Sequence, residues 1–124
     1  MLYEEITGSI LDSAFMVANE LGAGFLESVY EKAMVVALKE KHLNVEIQKP
    51  ISVIFHNQNV GDFYADILVE DKVIIELKAV KAILPEHQAQ VINYLKATGY
   101  EVGLLINFGT PKIEYKRLTR YKDI

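Results

Sequence analysis

Apolar residues recur at helical spacing through the first part of the chain. Ile6, Ile10, Ala14, Val17 and Leu21 fall on one side of a helix over residues 4–21. Gly22 suits its C-cap, and the Gly22-Ala23-Gly24 turn opens a second helix over about 25–41. The stripe of that helix reads Leu26, Val29, Ala33, Val36 and Ala37. From Val45 the pattern becomes that of strands. Residues 45–56 form a β-rich run interrupted by Pro50, which indicates an edge position or a bulge. Residues 57–61 read as a turn, and 62–69 and 73–80 as two strands joined by the polar turn Glu70-Asp71-Lys72. Pro85 suits the first turn of a third helix that runs to Thr98, with Gly99 just past its end. Residues 101–108 form a further strand, Gly109-Thr110-Pro111 turns the chain, and 113–118 close it. The order is α-α-β-β-β-α-β-β, an α/β fold. Strand 73–80 is apolar on both faces apart from Glu76 and Lys78, as in the middle of a sheet covered on both sides.

At 124 residues the chain is sized for one domain over 1–124, with no internal repeat or linker-like stretch. Cysteine is absent, which excludes disulfides, thiolate zinc sites and cysteine nucleophiles. The N-terminal residues carry Glu4 and Glu5 and do not read as a signal peptide. No apolar stretch approaches the ~20 residues of a membrane span. A cytoplasmic protein with no membrane association is expected. The net charge of −4 runs against nucleic-acid binding, which normally uses a basic surface. Positive charge collects near the C-terminus at Lys112, Lys116, Arg117, Arg120 and Lys122, against Glu114 and Asp123. That run reads first as a solvated segment and second as an edge that touches phosphates.

A glutamate and a lysine inside so apolar a strand need partners or a function, because an unpaired buried charge is expensive. Glu76 and Lys78 are two residues apart and share a face. With a three-residue turn at 70–72, Val69 pairs with Val73; counting outward places Asp66 opposite Glu76 and Tyr64 opposite Lys78. Leu68 and Ile74 continue that face as an apolar floor. A one-residue slip would send the acids to opposite faces. Two carboxylates in direct opposition repel, and a hard cation between them removes that cost. Oxygen-only ligands favour Mg²⁺ or Mn²⁺. Lys78 could then orient a water and stabilise charge on a phosphoryl group. The plainer alternative is an ion pair of Lys78 with Asp66 or Glu76 at the sheet rim.

Asp66-Ile-Leu-Val followed by Ile75-Glu76-Leu77-Lys78 resembles the core motif of the PD-(D/E)XK nuclease superfamily. Residues 90–94, Gln-Val-Ile-Asn-Tyr, resemble the QxxxY motif of its RecB-like branch, and Gly24 to Tyr30 is similar to the signature of the GxxExxY proteins. The resemblance implies a restriction-endonuclease-like core, a central mixed sheet flanked by helices. It implies Asp66, Glu76 and helical Glu27 around a Mg²⁺ or Mn²⁺ ion, with Lys78 catalytic and Gln90 and Tyr94 beside the site. The implied activity is hydrolysis of DNA or RNA. The alternative is an inactive module of the same fold that binds nucleic acid or a protein partner. So small a chain leaves little room to grip DNA, so a homodimer or larger complex is a further expectation. Ala65 stands where the motif carries proline.

Each of these residues also has a plainer role. Glu27 suits the start of a helix through the dipole alone. Tyr30 suits a core tyrosine with its hydroxyl bonded outward. Gln90 and Tyr94 are neighbours on one helix face and could form its wet side. His42, His56 and His87 lack metal-ligand spacing and read as structural or surface groups. No P-loop and no nucleophile triad is present.

Overall fold

The computed structural model describes residues 1–120. Helices α1 (Glu4–Leu21) and α2 (Glu27–Glu40) precede strands β1 (Val45–Phe55), β2 (Gln58–Val69) and β3 (Val73–Lys78). Helix α3 (Pro85–Thr98) and strands β4 (Val102–Asn107) and β5 (Glu114–Thr119) follow. The five strands lie side by side in chain order, and only β3 and β4 run parallel. A parallel neighbour needs a crossover, and α3 supplies it. The architecture is a restriction-endonuclease-like α/β core with a mixed sheet between helical layers.

The two faces of the sheet carry separate cores. Ile67, Val69, Val73, Ile75, Leu77, Leu104 and Ile106 pack against α1 and α2 through Ile10, Ala14, Met34 and Leu38. Leu68, Ile74 and Leu105 pack against Val91, Tyr94 and Leu95 of α3. Strand β3 is therefore buried on both faces, as its apolar sequence requires. Gly103 admits α3: a Cβ there would lie 2.7 Å from Val91 Cγ1.

Three local expectations are corrected. The core stripe of α2 is Tyr30, Met34, Ala37 and Leu38, while Leu26, Val29 and Val36 are exposed. So many positions from Val29 to Leu38 are apolar that helical period alone does not choose the buried face. The first hairpin turns at His56-Asn57, not at 57–61, and β2 begins at Gln58. Both turn residues have positive φ, 47° and 64°. A two-residue turn of that hand matches the twist of the flanking strands, and asparagine tolerates it. Finally, β3 stops at Lys78 rather than running to residue 80. Pro50 sits, as expected, on an edge strand: β1 pairs only with β2, with Pro50 opposite Tyr64.

Candidate metal centre

The β2–β3 hairpin has the register that the polar turn predicts. Val69 pairs with Val73, Leu68 with Ile74 and Ile67 with Ile75. Glu70 and Asp71 take left-handed backbone conformations, and the Lys72 N–H closes the turn on the Val69 carbonyl at 3.0 Å. Continued regularly, the ladder would pair Asp66 with Glu76. It ends one step earlier. The Asp66 N–H instead donates to Glu76 Oε1 at 2.9 Å, and the Leu77 N–H donates to Asp66 Oδ2 at 2.8 Å. Each acid thus caps a backbone amide of the other strand, and the two carboxyl groups occupy the gap where the strands part. Tyr64 does not reach Lys78: it stays with β1, while Lys78 pairs with Asn107 of β4.

The parting has a cause in β2 itself. Strand alternation would put Ala65 and Ile67 on one face. Instead Ala65 packs beneath α3 with Ile51, and Ile67 packs against α1 and α2. The ribbon turns over at Asp66, which is missing from both ladders. Gln48, the residue that would face it on β1, has a left-handed φ of 50°.

Burial controls the electrostatics. Glu76 is 4% exposed. Desolvation, reinforced by the charge of Asp66, pushes its pKa up to about 8. Desolvation also raises Asp66 to about 6, partly offset by the Leu77 amide and pushed further by the charges of Glu31 and Glu27. At neutral pH this pocket holds a proton that ordinary carboxylates would release. Lys78 lowers both values through space. It forms no ion pair with either acid; the ion pairs among the described residues are Lys41–Asp12 and Lys49–Glu46. The rim ion pair considered from sequence is therefore absent.

Lys78 reaches α3 instead. Its Nζ donates to Gln90 Oε1 at 3.3 Å, and Gln90 Nε2 donates to the Tyr94 hydroxyl at 3.1 Å. The alternation of β3 sends Glu76 and Lys78 to the α3 side. The one-turn spacing on α3 aligns Gln90 with Tyr94 above them. Burial raises the Tyr94 pKa, and the charge of Glu76 is the next contribution. The structure thus brings Asp66, Glu76, Lys78, Gln90 and Tyr94 into one continuous group.

Glu27 stands apart. It is exposed at the first turn of α2, and its charge is felt by both the buried Glu76 and the half-buried Asp66. No three Asp, Glu or His side chains among the described residues are gathered tightly enough to enclose an ion. The donor set nevertheless suits a hard cation. It consists of oxygens, and each of Asp66 and Glu76 has one carboxylate oxygen tied to an amide and the other without a protein hydrogen bond.

Two features of the site are not evident from sequence spacing. Asn107 is fully buried and holds the exit of β3 with four hydrogen bonds. Its Oδ1 accepts the N–H groups of Val80 and Gly109, and its Nδ2 donates to the Val80 carbonyl and to Glu114. A lone asparagine at the end of an apolar strand, two residues before a glycine, was the available signal. Glu31, one turn after Glu27, adds to the field at Asp66 and accepts a hydrogen bond from Gln48. Tyr30, by contrast, belongs to the core. Its hydroxyl donates to the Gly22 carbonyl at 2.6 Å and accepts the Phe25 N–H, and its ring stacks on Phe108 at 4.7 Å. It fixes the turn from which Glu27 projects. His87 has a structural role, since its Nδ1 accepts the Leu84 N–H at the start of α3. In the basic segment, Arg117 and Arg120 bond to the Leu2 and Gly99 carbonyls, and Lys122 and Asp123 lie outside the described residues. No described helix is long and apolar enough to cross a membrane.

A sheet that parts around two acids of raised pKa, beside a lysine tethered to a glutamine and a tyrosine, agrees with comparison to known proteins. The family model of the PD-(D/E)XK nuclease superfamily matches residues 4–118, and the chain belongs to that superfamily. Among solved structures, the crystal structure of SSO0001 is similar at a TM-score of 0.59 and 16% identity, over 98% of this chain and 62% of that one. An alkaline exonuclease from Laribacter hongkongensis is similar at a TM-score of 0.54 and 14% identity, over 96% of this chain and 71% of that one. The chain thus spans under two thirds of the length of SSO0001. No protein of curated function matches its sequence significantly.

Proposed function

We propose that the chain is a metal-dependent nuclease that hydrolyses phosphodiester bonds of DNA or RNA. The observation that carries this reading is the pair of carboxyl groups of Asp66 and Glu76, both raised in pKa, with which no cation among the described residues forms an ion pair. Superfamily membership supports it independently. Asp66 and Glu76 would hold Mg²⁺ or Mn²⁺ through their untied oxygens, with Glu27 completing the set from α2 through water or after a small approach. A hard cation bound there lowers the pKa of a coordinated water and polarises a phosphoryl oxygen. Lys78 then faces the phosphate with its ammonium and stabilises the charge that develops on the phosphoryl oxygens. Gln90 holds Lys78 in place, and Tyr94 holds Gln90. The motif from Gly24 to Tyr30 supports assignment to the GxxExxY group, and Gln90 to Tyr94 to the RecB-like branch. We read the protein as one cytoplasmic domain, and a second copy or a larger complex would add the grip that a chain of net charge −4 lacks.

Nuclease assay with Mg²⁺ or Mn²⁺ on single-stranded, duplex and structured substrates tests the mechanism. Cleavage is expected, and Lys78→Ala and Glu76→Ala should each abolish it. Cleavage that persists in both variants removes the mechanism. One observation favours a second reading, a non-catalytic module that binds nucleic acid or a protein: the acids are not already gathered into a three-ligand cluster. That reading expects binding without cleavage under every metal condition.

A further inference from the structure

A groove of about 690 Å³ runs between α3 and the far half of the β1–β2 hairpin. Its apolar wall is Val53, Ile54 and Phe63, and α3 lines the other side with Asn93, Tyr94 and Gln90. Gln90 and Tyr94 are the same residues that hold Lys78, so groove and candidate centre share a wall. We propose that this groove receives an unpaired nucleobase next to the phosphate held at Lys78, which makes single-stranded nucleic acid the preferred substrate class. The inference rests on the nuclease reading of the site and adds the substrate's form.

Three observations point to a base as the occupant. First, the only charged side chains of the lining are Glu86 and Lys96, which cancel. A phosphate would find no net attraction there, whereas a neutral ring would meet apolar walls. Second, the Phe63 ring is 45% exposed and lies 5.8 Å from the Tyr94 ring at 42°. It is an exposed aromatic ring at the groove, and any base can stack on such a ring. The ring is held close over Gly61, where an added Cβ would lie 3.1 Å from Phe63 Cε2. Asn93 adds an exposed amide able to meet a base edge. Third, the chain is acidic, so phosphate contacts alone give weak affinity and stacking must contribute more. A duplex could fill the groove only by unstacking and flipping a base out.

The test measures binding without metal, so no turnover intrudes. A labelled single-stranded tetranucleotide is titrated at low salt with wild-type protein and with Phe63→Ala. Each base of the tetranucleotide is then removed in turn to leave an abasic sugar. Phe63→Ala should weaken the intact strand about tenfold or more, while short duplex binding stays unchanged. One abasic position should cost wild type a similar factor and cost Phe63→Ala almost nothing. Phe63→Leu keeps the volume without the ring and should bind like Phe63→Ala, which separates stacking from misfolding. Effects of Phe63→Ala and base removal that simply multiply, or a wild type that binds no single strand, overturn the proposal. Cleavage by wild type with single-strand binding unaffected in Phe63→Ala removes the groove and leaves the nuclease. Binding as described, with no cleavage under any metal condition, removes the nuclease and leaves the groove.

Discussion

Glu76 lies between Ile75 and Leu77 in the middle of the sheet, and that position determines how it titrates. In the unfolded chain its carboxyl has a pKa near 4.5; in the folded chain the value is about 8. The folded state therefore keeps a proton that the unfolded state gives up. By linkage, the stability it contributes is complete below about pH 4.5 and is lost as pH rises through 8. Asp66 acts with the same sign over the window from 3.8 to about 6. Glu76→Gln carries no charge at any pH. It should match wild type near pH 4.5 and exceed it in stability by on the order of 3 kcal/mol at pH 8 without metal. Urea midpoints at the two pH values check this, and a variant less stable than wild type at pH 8 contradicts it. Cation binding at pH 7 should expel close to one proton, because metal ligands must be deprotonated. Calorimetry in two buffers of different ionisation enthalpy reads that proton directly.

At the scale of elements, two joints position the site without touching it. The first is the α1–α2 turn, where Gly22 and Gly24 have φ of 72° and 115° and the buried Tyr30 hydroxyl makes two hydrogen bonds. Tyr30→Phe should cost about 1–3 kcal/mol, since it leaves the Phe25 N–H and the Gly22 carbonyl without that partner. Chemical denaturation measures the loss. The second joint is the exit of β3, where Asn107 and Gly109 lock Val80. A Cβ on Gly109 would lie 2.1 Å from the Val80 carbonyl oxygen, which only backbone movement could relieve. Gly109→Ala should therefore lower the melting temperature by more than Tyr30→Phe does. It should also displace Lys78, two residues before Val80, and reduce any cleavage with it.

For the whole molecule, a cation held at the proposed site would join metal binding to folding. A ligand that binds only the folded state stabilises it by about 2.7 kcal/mol at a hundredfold excess over its dissociation constant. In a chain of this size that amounts to roughly 10 °C of melting temperature. Millimolar Mg²⁺ should raise the melting temperature of wild type at pH 7.5 and leave Asp66→Asn unmoved. Equal shifts in both proteins would show that the cation sits elsewhere. The acidic surface makes the comparison necessary, because scattered carboxylates also attract divalent ions.

Much of this arrangement is legible in the chain itself. The order of elements follows from apolar period and from the glycine and proline punctuation. The β2–β3 register follows from a short polar turn, and the shared side of Glu76 and Lys78 from strand alternation. These are local rules, and the residues that set them are neighbours in sequence. Superfamily membership was likewise readable from the order of Asp66, Glu76, Lys78, Gln90 and Tyr94. Tertiary structure decided the rest. It ended the ladder at Ile67–Ile75, because the β1–β2 ribbon turns over at Asp66 to reach both helical layers. It chose the Tyr30 face of α2, where an almost wholly apolar run left the period undecided. It placed Asn107, and it opened the groove between Phe63 and α3. Each of those outcomes depends on which distant surfaces meet and on side chains that replace backbone partners. The cost of burial is settled only when the layers close, so a sequence pattern names the paired acids but not their proton.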